Sequence, residues 1–366
     1  MTKSLEVGSP AEPQLSSRLD EAPIVSLVVA MRNEARYIEA CLRSIIVQDY
    51  PADRLEVWVF DGGSEDASRE IALRVAGDRP RWHIGDNAEG HQAAAWNLGI
   101  RRATGEVIGI LSAHAEIGPT YVREAVATLA RTGAEMVGGP VRAVGEGVVA
   151  VAVAKALSTP FGVGGARFRY LEHEESVDSV FMGLCTRETF RRFEFDESMW
   201  RDQDDELSYR ILDAGGRIVC NPRIESSYRS RSTIVGLWRQ YLDYGRWKVR
   251  VIQKHPGQVR LRHLVPSALV LALATSAGLG TISPAGRIVL AAVAGSYLIA
   301  NVLASAVAAR GLAIRSAVLL PSVYATVHLS YGTGLILGLL TFRDGWAPGS
   351  LKRAVRSLSA LRQSPR

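Results

Sequence analysis

Residues 24–34 read Ile24-Val25-Ser26-Leu27-Val28-Val29-Ala30-Met31-Arg32-Asn33-Glu34. An apolar run rich in β-branched side chains ends abruptly in polar ones. That pattern predicts a buried strand followed by a turn. Downstream, Ile38, Cys41, Leu42, Ile45 and Ile46 recur at i, i+3, i+4, i+7 and i+8, one apolar face of a helix. Asn33 stands where it can cap that helix, and Pro51 stops it. Leu55 to Phe60 reads as a second strand, ending in Asp61-Gly62-Gly63-Ser64. A helix from Asp66 to Ala76, a short strand at Trp82-His83-Ile84, a helix from His91 to Ala103 and a strand from Val107 to Leu111 follow. Strands alternating with helices through short loops predict a doubly wound, largely parallel sheet. Such sheets bind ligands outside the carboxyl ends of their strands. Those ends are Met31 to Glu34, Asp61 to Ser64 and Ser112 to Glu116. No G-x-G-x-x-G follows the first strand and no G-x-x-x-x-G-K-[ST] occurs, which argues against a dinucleotide fold and a P-loop.

Beyond this frame the pattern loosens. Met136 to Val141 predicts a strand, and Gly162-Val163-Gly164-Gly165 a flexible loop. The acidic cluster Asp202-Gln203-Asp204-Asp205-Glu206 leads into a helix through Leu212, closed by Gly215-Gly216. Residues 1–22 are polar and proline-bearing, which predicts a disordered tail with no signal peptide. Residues 23–228 form the expected α/β domain. Residues 229–263 are basic, with seven Lys or Arg and one Asp between Arg239 and His263, and Tyr241, Tyr244 and Trp247 interleaved. Three segments without Asp, Glu, Lys or Arg then follow, at 264–282, 288–309 and 316–340, each long enough to cross a bilayer. Basic residues ahead of the first span predict a multi-pass inner-membrane protein with its α/β domain in the cytoplasm. Three spans would put the tail 341–366 outside, although Lys352, Arg353, Arg356, Arg362 and Arg366 favour the inside. Three spans is the count adopted, against an even number with one re-entrant segment.

The whole chain has 366 residues, 47% hydrophobic and 22% charged, which excludes collagen-like and wholly disordered classes. Cys41, Cys185 and Cys220 are far apart and odd in number, so neither a disulfide scaffold nor a cysteine-rich zinc module is expected. A net charge of +6 is too mild to argue for nucleic acid.

A strand-end carboxylate such as Asp61 can accept hydrogen bonds from a base or ribose. The acidic cluster offers a general base whose ionisation its neighbours shape. His114 can bind a divalent cation or a phosphate. The order of these groups resembles the inverting family 2 glycosyltransferases of GT-A fold, and within them the ExoA-like succinoglycan branch. Met31-Arg32-Asn33-Glu34, Asp61-Gly62-Gly63-Ser64 and Ala93-Ala94-Ala95-Trp96-Asn97-Leu98-Gly99 resemble the family's "NE", "DGxS" and "A-x-N-x-G" elements. The 202–210 segment, and Gln240-Tyr241-Leu242-Asp243-Tyr244-Gly245-Arg246-Trp247-Lys248, resemble the branch's acidic and "Q-Y-x-x-Y-G-x-W" segments. Gly138-Gly139-Pro140 and the 160–165 stretch add to the likeness, which spans about residues 23–255.

The resemblance implies a mixed, mostly parallel sheet that binds a UDP-sugar through Ala30, Arg32, Glu34, Asp61, Asn97, Ser112 and Ala113. It implies that Asp204 is the base deprotonating the acceptor hydroxyl. It puts Gln240, Arg246 and Trp247 on the acceptor and diphosphate side. The implied partners are a UDP-sugar, a polyprenyl-linked acceptor, the bilayer and other polysaccharide assembly proteins. Two positions depart from the pattern: the family's Asp-x-Asp, Asp-Ala-His in the branch, is here Ser112-Ala113-His114, and the Glu before the base is Gln203. A divalent cation, Mn²⁺ or Mg²⁺, would then lean on His114, and imidazole favours Mn²⁺. Two alternatives stay open: sugar transfer to polyprenyl phosphate, and a degenerate nucleotide-binding scaffold.

Overall fold

The structure, a computed structural model, describes residues 22–346. The expected N-terminal tail, but for its last residue, and the basic stretch from 347 lie outside the described residues. In chain order the strands are β1 (Val25–Met31), β2 (Leu55–Asp61), β3 (Trp82–Asp86), β4 (Val107–Ser112), β5 (Ala115–Ile117), β6 (Met136–Gly138), β7 (Val141–Val144), β8 (Glu175–Ser176), β9 (Leu184–Thr186), β10 (Ile218–Cys220) and β11 (Ser226–Arg229). The helices of the α/β part are α1 (Ile38–Ile46), α2 (Ser68–Ala76), α3 (Gln92–Arg102), α4 (Tyr121–Thr132), α5 (Val148–Leu157), α6 (Pro160–Val163), α7 (Arg187–Arg192) and α8 (Gln203–Asp213).

The main sheet runs β3-β2-β1-β4-β9-β6-β10-β8, and β5-β11-β7 forms a second, smaller one. The first four strands are parallel; β9 runs antiparallel to both its neighbours, β4 and β6. Alternation along β1 divides the core. Val25, Leu27 and Val29 pack with α1 and α4, while Val28 faces Trp96 and Ile100 of α3. The exception is Ser26, buried and donating to buried Glu56. That carboxylate also accepts from the Thr104 backbone N–H at 2.8 Å, so its burial is compensated.

Three expectations change here. Asn33 does not cap α1: it adopts a left-handed backbone (φ 56°), and its Oδ1 accepts from Glu65 N at 2.8 Å. The strand expected at 136–141 is split between β6 and β7, which lie in different sheets. Pro140, which lacks an N–H for a continuous ladder, stands between them. The 162–165 loop is partly helical: Pro160 opens α6, and Thr159 caps it.

The C-terminal part holds α9 (Ile234–Lys254), α10 (Leu261–Ile282), α11 (Pro284–Ala308), α12 (Ile314–Ala317) and α13 (Leu320–Thr341). Helices α10 and α11, and the 314–341 stretch, are long and apolar enough to cross a membrane. The three differ in surroundings. The spanning windows of α10 and α11 are 11% buried, that of 314–341 is 50%. Helix α13 lies against α9 for the full length of α9. Leu237 and Tyr241 pack beside Val323 and Val327, Val249 packs beside Leu335, and Gln253 Nε2 donates to the Phe342 carbonyl at 2.5 Å. The partner numbers climb together, so the two helices run parallel.

Glycine makes this contact possible. A Cβ at Gly245 would lie 2.1 Å from the Tyr331 carbonyl oxygen, and one at Gly334 2.1 Å from that of Leu242. Small residues at such crossings let backbones touch. Gly245→Leu should therefore part α9 from α13. Overpacking costs roughly 1–3 kcal/mol and more against backbone, so a clearly lowered melting temperature in detergent is expected. An unchanged melting curve would contradict the docking.

Candidate active site

Strand register brings the first half of the site together. Met31 pairs with Asp61, and Ala30 with Ser112, so the ends of β1, β2 and β4 lie side by side. Asp61 is 5% exposed; its Oδ1 accepts from Ser64 N at 3.0 Å and Ser64 Oγ at 2.6 Å. Ser64 Oγ in turn accepts from Asn33 N at 2.9 Å, and Ser68 Oγ accepts from Glu34 N at 2.7 Å. The two strand-end loops are thus stitched into one rim. Arg32 donates to the Gly90 carbonyl at 3.3 Å, and His114 Nδ1 lies 3.1 Å from Glu34 Oε1.

The second half is the start of α8. A crevice of about 900 Å³ is shared by Ser112, His114, Asp202, Asp204, Asp205 and Gln240. Within the acidic cluster each carboxylate has a different environment. Glu206, buried, accepts a fork of bonds from Arg210 at 2.9–3.0 Å and faces His255 Nε2 at 3.3 Å. Asp205 accepts from Lys248 Nζ, which also lies 3.1 Å from Asp202 Oδ2. Asp204 alone in the cluster has no basic partner among the described residues; its Oδ1 accepts only from Asp205 N at 3.1 Å.

The charges follow this division. Burial, then repulsion from Asp205 and Asp202, pushes the Asp204 carboxyl up to about 7. Burial likewise raises Asp202, to about 6. Burial would raise Asp205 too, but the Lys248 ammonium outweighs it and holds that carboxyl below its usual range. A half-buried, unpaired carboxylate poised near neutrality is the form a general base needs.

The remaining sequence-predicted residues divide. Gln240 lines the crevice, and its Nε2 donates to Tyr244 Oη at 3.0 Å. Ala113 is buried beside the site. Three residues lie elsewhere. The Asn97 amide is taken up by Phe195 and Glu197, at 2.8 Å each, away from the strand ends. Arg246 turns to another side of α9, with its guanidinium 5.8 Å from the Phe342 ring centroid. Trp247 sits about 10 Å further along the helix axis than Gln240, packed on Met199, Tyr209 and Phe342.

Lys248 was missed. Helical spacing puts it on the face of Tyr241, Gly245 and Ile252, the buried side of α9. A lysine on an apolar face needs a buried carboxylate, and that was the available signal. The structure also joins the two departures noted above. Gln92 Nε2 donates to Ser112 Oγ at 2.9 Å, while Gln203 Nε2 donates to Gln92 Oε1 at 3.4 Å.

Among the described residues, no three His, Cys, Asp or Glu side chains gather as a metal cage. With Nδ1 of His114 taken up by Glu34, its Nε2 is the ring nitrogen that would ligate a cation, whose remaining ligands would have to come from a diphosphate and water.

A mostly parallel sheet whose polar strand ends face an acid-headed helix defines a GT-A-like domain. Residues 26–193 match the family model "Glycosyl transferase family 2". The succinoglycan biosynthesis protein ExoA of Rhizobium meliloti is 31% identical over 246 residues, 66% of this chain and 74% of its own length. This chain therefore belongs to glycosyl transferase family 2. A dolichyl N-acetyl-α-D-glucosaminyl phosphate 3-β-D-2,3-diacetamido-2,3-dideoxy-β-D-glucuronosyltransferase of Methanococcus voltae is 28% identical over 258 residues, 68% of this chain and 79% of its own. In fold, the chain is similar to the mannosyltransferase PcManGT of Pyrobaculum calidifontis, solved with GDP-Man and Mn²⁺. The TM-score is 0.55 at 20% identity, over 92% of this chain and 91% of that one.

A base must be ionised to take a proton, so kcat/KM for transfer should fall as pH drops below about 7 and level off above it. Asp204→Asn should lose roughly 10²–10⁴ in rate above pH 7, a gap that narrows as the parent base protonates, while still binding nucleotide by calorimetry. Near-normal turnover of that variant would move the role to another group.

Proposed function

We propose that this protein is an inverting glycosyltransferase that moves a glucose-like sugar from a UDP-sugar to a polyprenyl-diphosphate-linked saccharide. The observation that carries this reading is Asp204, the one cluster carboxylate without a basic partner, in the crevice that the strand ends also line. The donor nucleotide lies over β1, β2 and β4, with Asp61, Glu34, Arg32 and Ser112 as its contacts. Asp204 takes the proton of the acceptor hydroxyl. The freed oxygen attacks the anomeric carbon from the face opposite the leaving diphosphate, the C–O bond to UDP breaks, and the configuration inverts. A lipid-linked acceptor is supported by the crevice itself, whose far wall is Val265, Pro266 and Leu269 of α10 and Val327 of α13. The printed names of two relatives, one acting on a dolichyl-linked sugar and one in succinoglycan assembly, point the same way.

A divalent cation held by His114 would supply charge neutralisation at the leaving diphosphate. Ser112 brings no charge to it, which weakens the hold and favours Mn²⁺ over Mg²⁺. The test is transfer from radiolabelled UDP-sugars into lipid extracts of native membranes, with and without EDTA. Label entering a diphosphate-linked lipid is the expected result, with Mn²⁺ ranking first. Ser112→Asp should lower the cation concentration needed for half-maximal rate. Full activity in EDTA would overturn the cation role, and label in a monophosphate lipid the acceptor.

The catalytic domain is read as cytoplasmic, at the inner membrane. The α10–α11 hairpin is proposed to cross the bilayer, while α13 lies with α9 along the cytoplasmic surface. Two observations support this arrangement. His328, midway along α13, hydrogen-bonds to the Phe161 carbonyl of the α/β domain at 2.8 Å, and the start of α13 packs on α5. Its partner α9 also carries Arg239, Asp243, Arg246, Arg250 and Lys254. Each charge at a bilayer centre costs about 2.5–3.5 kcal/mol or more. Cysteines placed singly at 283 and near 350 should then label from opposite sides of the membrane, the second from the cytoplasm. External labelling near 350 would restore three spans.

A further inference from the structure

The crevice holds a cation that the proposed mechanism does not use. Arg169 follows α6 in the loop that borders the helices, and its half-buried side chain lines the same crevice as Asp204. Its guanidinium donates to Tyr228 Oη at 3.3 Å and lies over the rings of Phe168 and Tyr228, 5.5 and 5.7 Å from their centroids. No carboxylate reaches it among the described residues. The contrast is Arg262 of the same crevice, which pairs with Asp178 at 2.6 Å. Taking a guanidinium out of water without an anion is costly. Ring faces and one phenol offset only part of that cost.

Phenol, amide and guanidinium groups line the crevice with Arg169. Tyr244 Oη accepts from Gln240, and Gln240 Oε1 accepts from Arg231 Nε at 3.2 Å. Among the described residues Arg231 has no carboxylate partner either, and both residues line the same crevice. A planar fork with phenol and guanidinium donors beside it suits tetrahedral oxygens carrying charge, as a phosphate does. The carboxylates lining the crevice are Asp202, Asp204 and Asp205 at the head of α8, which Lys248 partly neutralises, and Asp243 of α9.

We propose that Arg169, with Tyr228 and Arg231 beside it, forms a diphosphate-binding site on the helix side of the crevice. The diphosphate belongs either to the sugar nucleotide or to the prenyl chain of the acceptor. The choice between these two sources rests on the function proposed above, but the anion site does not.

The test uses the full-length protein in nanodiscs, with Arg169→Gln as the neutral variant and Arg169→Lys as the conservative one. Calorimetry with inorganic pyrophosphate, UDP and farnesyl diphosphate reads binding without any transfer. Losing a charged hydrogen-bond donor should weaken pyrophosphate binding by roughly ten- to hundred-fold in Arg169→Gln, with part of it regained in Arg169→Lys. An equal loss for farnesyl diphosphate with UDP unchanged assigns the site to the lipid. The reverse assigns it to the nucleotide. A folded Arg169→Gln protein that binds all three probes like the parent overturns the proposal. Should no UDP-sugar support transfer while the pyrophosphate loss persists, the anion site stands and the proposed acceptor reaction falls.

Discussion

One ammonium holds the site in shape. Lys248 Nζ faces Asp205 and Asp202 at once, from α9, the helix that packs along α13. Without it, three neighbouring carboxylates at the start of α8 would repel one another, and burial would worsen that repulsion. With it, two are matched and Asp204 is left over. Removing one partner of a buried pair typically costs about 3–5 kcal/mol, because the other charge stays behind. The same helix is locked to α13 by backbone contact at Gly245 and Gly334. The head of α8, α9 and α13 are therefore joined by direct contacts.

Much of the frame was legible because several signals agreed. In β1, composition, length and the polar stop at Met31 to Glu34 all say the same thing. The strand ends, and hence Asp61, Ser112 and His114, could be placed from sequence alone. What failed did so where a residue's partner is remote. Asn33 has the chemistry of a cap, but Glu65, 32 residues on, takes its side chain. Asn97 has the look of a ligand contact, but the Phe195 backbone takes it on both sides.

Helix α9 was harder to read, because a count of its basic residues does not say how a helix distributes them around its axis. Lys248 points into the protein, Gln240 into the crevice and Arg246 toward Phe342. The third apolar segment has a composition that suits lipid, and half of its spanning stretch is buried within the protein. Hydropathy reports that a helix wants apolar surroundings and does not say whether lipid or protein supplies them.

The two departures from the family pattern take on a meaning once they are seen to touch the same side chain. Ser112 and Gln203 are neutral where the resemblance leads one to expect carboxylates, and Gln92 bridges them. An amide can donate to one neighbour and accept from the other, which is the arrangement here. A carboxylate at 203 would face the Gln92 carbonyl oxygen, acceptor against acceptor, unless the amide turned over. The neutral pair is therefore consistent as a unit. Its consequence is electrostatic. The floor of the crevice carries less negative charge, so a donor diphosphate meets less repulsion there and needs less help from a metal. Side-chain cations can then take a larger share of that work. An arginine without a carboxylate in the same crevice is the feature such a shift would require.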